Sequence, residues 1–158
     1  MIRQLISTRY RANVPSAGSN SACVIVSPST QGLRQRFADL PERLAKLPQA
    51  VSEGDAIRVT LRDAGWTDIV HCPEESDFLE VLDCLYRQPY RLLAICGHGI
   101  FETPASDGRV YTGVVLSDGM LITAAEISLM EVVPEVVFLN CCYQASMNTL
   151  RRPTRLAY

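Results

Sequence analysis

The sequence contains no long apolar run. None of its hydrophobic stretches approaches the ~18 residues that a membrane-spanning helix requires, so no membrane-embedded segment is expected. The start, Met1-Ile2-Arg3-Gln4-Leu5-Ile6-Ser7, carries one positive charge and no apolar core after it, which argues against a signal peptide. Neither sign of charge is in excess: 15 Lys and Arg stand against 17 Asp and Glu, a formal net charge of -2. Nothing therefore suggests bulk electrostatic attraction to nucleic acid or to a membrane surface. There are only two histidines, His71 and His98, and no Cys-x-x-Cys pair. His71-Cys72, Cys96-x-His98 and Cys141-Cys142 match no standard zinc-ligand spacing, so no metal is expected. Gly97-x-Gly99 lacks the third glycine of a dinucleotide fingerprint, and no cofactor is expected either. Internal repeats and low-complexity tracts are missing.

What is present is enough for one globular domain. The 158 residues are 47% hydrophobic and 20% charged, a balance that allows a core without covalent staples. Six cysteines invite a disulfide reading, but Cys23, Cys84 and Cys96 sit among apolar neighbours, where a free thiol behaves as a small hydrophobe. The expectation is reduced thiols in a cytoplasmic protein.

The pattern along the chain alternates. Residues 1–21 read as a loose lead-in. Ala22–Val26 is an apolar run ended by Ser27-Pro28-Ser29, a strand and a turn. Residues 31–47 have no clean period. Ile57, Leu61 and Ala64 give helical spacing over 49–64, and Gly65 stops it. Residues 66–71 read as a strand. Ser76 or Asp77 caps a helix to about Gln88, with Phe78, Leu82 and Leu85 on one face. Residues 91–96 are a strand, 100–112 a polar surface loop. Val114–Leu116 and Met120–Ile122 flank Ser117-Asp118-Gly119, a hairpin signal. Thr123-Ala124-Ala125-Glu126 is a capping box for a short helix to about Met130, and residues 136–140 are a last strand. Strands alternating with helices imply an α/β domain with helices on both faces of a mostly parallel sheet.

Two of these apolar runs stop at reactive side chains, one at Gly97-His98-Gly99 and one at Asn140-Cys141-Cys142. Buried parallel strands read as continuous apolar runs, and functional groups gather beyond their carboxyl ends. If the two strands are neighbours, an imidazole and a thiol meet in one crevice: a cysteine nucleophile and its base. Gly99, with no side chain, lets a substrate carbonyl approach its backbone N–H as an oxyanion donor, and the N–H of Cys142 supplies a second. Neighbouring residues of a strand point to opposite faces, so one of Cys141 and Cys142 faces the crevice and the other the packing.

Four blocks in order, Gly97-His98-Gly99, then 113–119 (Gly-Val-Val-Leu-Ser-Asp-Gly), then 121–127 (Leu-Ile-Thr-Ala-Ala-Glu-Ile), then 136–142 (Val-Val-Phe-Leu-Asn-Cys-Cys), resemble a CHAT domain, the caspase-like domain often found beside tetratricopeptide repeats. The likeness is densest over 89–145. It continues more weakly back to about Ala22, where 27–30 (Ser-Pro-Ser-Thr) and 47–50 (Leu-Pro-Gln-Ala) sit where the family has similar loops. The resemblance implies a three-layer caspase-like α/β sandwich of cysteine peptidase clan CD. It puts the family's histidine on His98 and its nucleophile on Cys142 rather than Cys141. It implies peptide-bond cleavage in protein or peptide substrates, often under control of tetratricopeptide-repeat or other regulatory modules. After the nucleophile the family usually has an acidic or polar residue and then Gly, where this chain has Tyr143-Gln144-Ala145. Only residues 143–158 follow Cys142, so the expected organisation is a lead-in (1–21), a caspase-like core (22–145) whose sheet is truncated after the nucleophile strand, and a short tail (146–158). Two other readings stand beside the peptidase. One is an inactive or truncated remnant that binds a partner, or a second copy of itself, through an open sheet edge. The other is a flavodoxin-like ligand-binding domain.

Overall fold

A computed structural model describes residues 20–143. The expected lead-in (up to residue 19) and tail lie outside the described residues. Six strands and three helices follow in chain order: β1 (Ser21–Val26), α1 (Pro48–Asp63), β2 (Asp68–Cys72), α2 (Phe78–Tyr86), β3 (Leu92–Pro104), β4 (Val110–Val115), β5 (Leu121–Ile122), α3 (Ala124–Ser128) and β6 (Val136–Tyr143). Short 3-10 turns lie at Leu33–Gln35 and Ser117–Gly119.

All the strands form one sheet, ordered β2-β1-β3-β4-β5, with β6 on β3 off that path. β1 pairs in parallel with β2 and with the first half of β3, and β6 pairs in parallel along Leu92–Gly99 of β3. β4 runs antiparallel to the second half of β3. Gly99 is opposite Val114 of β4 and Tyr143 of β6 at once. β4 therefore lies on the edge of β3 away from β6, the edge on which β1 pairs earlier in the strand.

The sheet faces sort the core into layers. Alternation sends Ala22, Val24, Val26 and Ala94 to one face, where they meet Leu61, Val51 and Ile57 of α1. Cys23, Ile25, Leu93 and Ile95 go to the other face and meet Val81, Cys84 and Leu85 of α2, with Ile127 of α3 against the same cluster. This is the three-layer α/β sandwich. The helix starts follow local chemistry. Pro48 occupies the first turn of α1, where its missing N–H costs nothing. Capping boxes, Asp77 with Glu80 and Thr123 with Glu126, open α2 and α3.

Three expectations need correction. The sheet is mixed, not mostly parallel, because β3 continues past its apolar run and turns back as a hairpin. Residues 100–112 are accordingly not a surface loop: β3 extends to Pro104, Ala105 N–H donates to the Arg109 carbonyl at 2.8 Å, and β4 begins at Val110. Polar Glu102 and Thr103 masked this strand in the sequence. A register shift between Ile100 and Thr103, with Glu102 at φ 46°, breaks the alternation further. Finally, β6 runs through Tyr143, so Gly97-His98-Gly99 and Cys141-Cys142 lie inside strands and not beyond their ends. Smaller differences are ends: α2 stops at Tyr86, α3 at Ser128, and β2 spans Asp68–Cys72.

Candidate active site

The parallel ladder between β3 and β6 sets His98 opposite Cys142 in register. Neighbouring strands lie roughly 4.8 Å apart, so two positions 44 residues apart in sequence become backbone neighbours through the pairing alone. Position 141 belongs elsewhere: Cys141 is half-buried and packs against the α2–α3 core.

His98 is only 3% exposed. Its Nε2 lies 2.7 Å from the carbonyl oxygen of Ala45, in the segment before α1. A carbonyl can only accept, so Nε2 carries the proton and donates. Nδ1 is left with its lone pair. It is buried and has no hydrogen-bond partner among the described residues. Burial pushes the His98 pKa below the ordinary histidine value of 6.5, and the Ala45 carbonyl pulls partly the other way by favouring the charged ring. The imidazole is neutral at neutral pH, with one nitrogen fixed and the other available.

The other described thiols sit in different surroundings. Burial pushes Cys96 up to about 12, with the charges of Glu53 and Cys141 adding to it. Cys72 is raised to about 12, again by burial first. Cys23 is raised further for the same reason, with its thiol toward the Cys84 carbonyl at 3.7 Å. These groups are core packing, as their apolar sequence context implies, and poor thiolates. His71, the other histidine, is on edge strand β2, where burial and then Arg58 lower its pKa. It is on the sheet's far side from β6, with β1 and β3 between, so it joins no site with Cys142. No group of three or more His, Cys, Asp or Glu among the described residues could hold a metal ion.

Gly99 has a strand neighbour on each side, Val114 and Tyr143, so it lies within the sheet and not in the open loop the sequence suggests. Gly97 is where pairing leaves room for packing: a Cβ there would come within 3.2 Å of Pro28 Cδ. Beside the strands, a shallow groove of about 650 Å³ is lined by Pro48, Gln49, Ser52 and Glu53 of α1 and Asn140 of β6. The Asn140 amide donates to the Glu53 carboxylate across it. Glu53 and Ala45 were not legible as site residues. Ala45 acts through a backbone carbonyl, which no side-chain pattern marks, and Glu53 reads as one more solvated helix charge.

The arrangement so far is a class: a three-layer α/β domain with a buried, oriented histidine facing a cysteine position on the adjacent parallel strand. The chain belongs to the CHAT domain family, whose model matches residues 1–155, and that family is associated with the caspase-like peptidase fold. No curated protein and no solved structure matches the chain significantly. No helix among the described residues is long and apolar enough to cross a membrane.

Proposed function

We propose that the protein is a CHAT-type, caspase-like cysteine endopeptidase working through a Cys142–His98 dyad. The observation that carries this reading is the in-register placement of His98 and Cys142, with His98 Nε2 tied to the Ala45 carbonyl and Nδ1 left as a base. The Cys142 thiol attacks the scissile carbonyl carbon as its proton passes to Nδ1. Because burial keeps His98 neutral, the base accepts this proton during attack and does not stand beforehand as an imidazolium partner of a thiolate. The imidazolium then gives the proton to the leaving amine, and water hydrolyses the thioester, releasing the second product and restoring the thiol. The α1–Asn140 groove adjoins this chemistry and accommodates part of the peptide substrate. No cofactor or metal enters these steps. The compartment that suits a reactive thiol and free core cysteines is the cytoplasm.

The test is site-resolved alkylation of the full chain, read by peptide mass spectrometry. Cys142 should label faster than an ordinary exposed thiol, because His98 takes its proton as the thiol attacks the alkylating agent, and His98→Ala should slow it by about tenfold or more. Equal rates in the two proteins would exclude the dyad.

A second reading rests on β6. Val137, Phe138 and Leu139 are only partly buried, whereas their register partners Leu93, Ala94 and Ile95 are fully buried. A strand supplied by a partner protein, or by a second copy, would cover them by edge addition. Sedimentation of the purified chain separates the cases, since a concentration-independent monomer excludes self-pairing.

A further inference from the structure

We propose that Thr30 and Glu75 are positioning residues for His98, acting through the strap of residues 42–47. This rests on His98 as the base of the site. The strap has no helix or strand ladder of its own, yet its Ala45 carbonyl fixes the imidazole at 2.7 Å. A segment without internal hydrogen bonds holds a position only through what it touches.

Its anchors surround Ala45. The Glu42 carbonyl accepts from Leu33 N–H at 3.1 Å. Leu44 N–H donates to the Thr30 hydroxyl at 3.0 Å, and the Leu44 side chain packs on the Leu33–Phe37 cluster. Arg43 and Lys46, on either side of Leu44 and Ala45, both pair with Glu75 Oε1, the lysine at 3.4 Å. Thr30 is only 3% exposed, so its hydroxyl is a fixed acceptor and not a mobile surface group.

Glu75 is held unusually. Its φ of 64° is in the left-handed region, which a non-glycine residue enters at a cost. Its N–H donates to the carbonyl of Ser27, itself at φ 40°, at 3.0 Å. Ser29 N–H reaches the Ser76 carbonyl at 2.9 Å, so the turn after β1 and the turn before α2 are laced together. An ordinary surface ion pair does not need such a backbone. Here the strained turn carries one carboxylate to both cations of the strap, while the turn after β1 supplies Thr30. The two loops at the carboxyl ends of β1 and β2 thus set the height of one carbonyl over β3.

The experiment follows the His98 Nε2–H in the full chain by proton–nitrogen NMR. Held by the Ala45 carbonyl, this proton exchanges slowly with water. Thr30→Val keeps the side-chain volume and removes the acceptor, and should speed exchange roughly tenfold, while Thr30→Ser returns it to within about twofold of the original rate. Glu75→Gln, which keeps the side-chain shape and removes the charge, should also speed it. Unchanged exchange in folded Thr30→Val and in Glu75→Gln overturns the proposal. If Thr30→Val does not fold, Glu75→Gln alone decides in either direction. The measurement does not involve Cys142, so slow alkylation of Cys142 counts against the dyad and leaves this test standing.

Discussion

At the scale of single residues, the decisive feature is the asymmetry of one imidazole. A histidine with both nitrogens satisfied is a structural strut, and one with both in water is a poor positional base. His98 has Nε2 committed to a carbonyl and Nδ1 buried without a partner among the described residues. Leaving a buried polar atom unpaired costs roughly 1–3 kcal/mol, a cost for which the proposed role of His98 as a base would account. The thiols divide the same way. Cys72 and Cys96 are pushed up to about 12 and Cys23 is raised as well, in each case by burial first. A brief iodoacetamide pulse near pH ~8 should therefore leave these three unmodified in the folded chain and modify all of them once it is denatured, since the thiolate is the reacting form. Peptide mass spectrometry reads this directly, and labelling of Cys96 in the folded chain would show that its burial does not protect it.

At the scale of elements, α1 sets the wall of the site, and it does so by close approach. Gly54 faces β1 so tightly that a Cβ would come within 2.3 Å of Val26 Cγ2. The contact brings the first two turns of α1, with Gln49, Ser52 and Glu53, up to Asn140 on β6. Gly54→Ala should improve intrinsic helix propensity and still destabilise the fold, because overpacking a fixed helix–sheet contact costs about 1–3 kcal/mol. Urea unfolding measures the difference, and a neutral or stabilising result would mean that α1 can lift from the sheet without loss. The β3–β4 hairpin shows the complementary case. Gly113 sits where a Cβ would meet the Ile122 carbonyl oxygen at 2.7 Å, so β4 can be flanked closely by β5 only because no side chain intervenes.

At the scale of the whole molecule, both histidines tie stability to pH. His98 and His71 have folded pKa values below 6.5, in each case chiefly from burial. A depressed histidine binds fewer protons folded than unfolded, so stability rises with pH through the window from the folded value up to about 6.5 and is level above it. The urea midpoint should accordingly fall as pH is lowered from about 7.5 to about 5.5, where most carboxylates remain ionised. Replacing His98 by Gln should flatten that fall in part, leaving the His71 share. A midpoint that rises on acidification would reverse the sign assigned to burial.

Much of this architecture was legible without coordinates, and the reason is local. The apolar runs at 22–26, 92–96 and 136–139, the Asp77 and Thr123 caps, and the Asp118-Gly119 turn each act over a few residues, so the sequence itself determines the α/β order and most element positions. The four motif blocks likewise carry the resemblance to the CHAT family, which the match over residues 1–155 shows. What failed locally was the second half of β3, whose polar residues and register shift hide a strand that only its pairing with β4 reveals. Pairing partners are long-range, and only the tertiary structure decided that β3 lies between β1 and β6, which brings positions 98 and 142 into register. It also decided what the imidazole touches. Ala45 contributes a carbonyl that every residue possesses, and its place over His98 is fixed by Thr30 and Glu75 from distant parts of the chain.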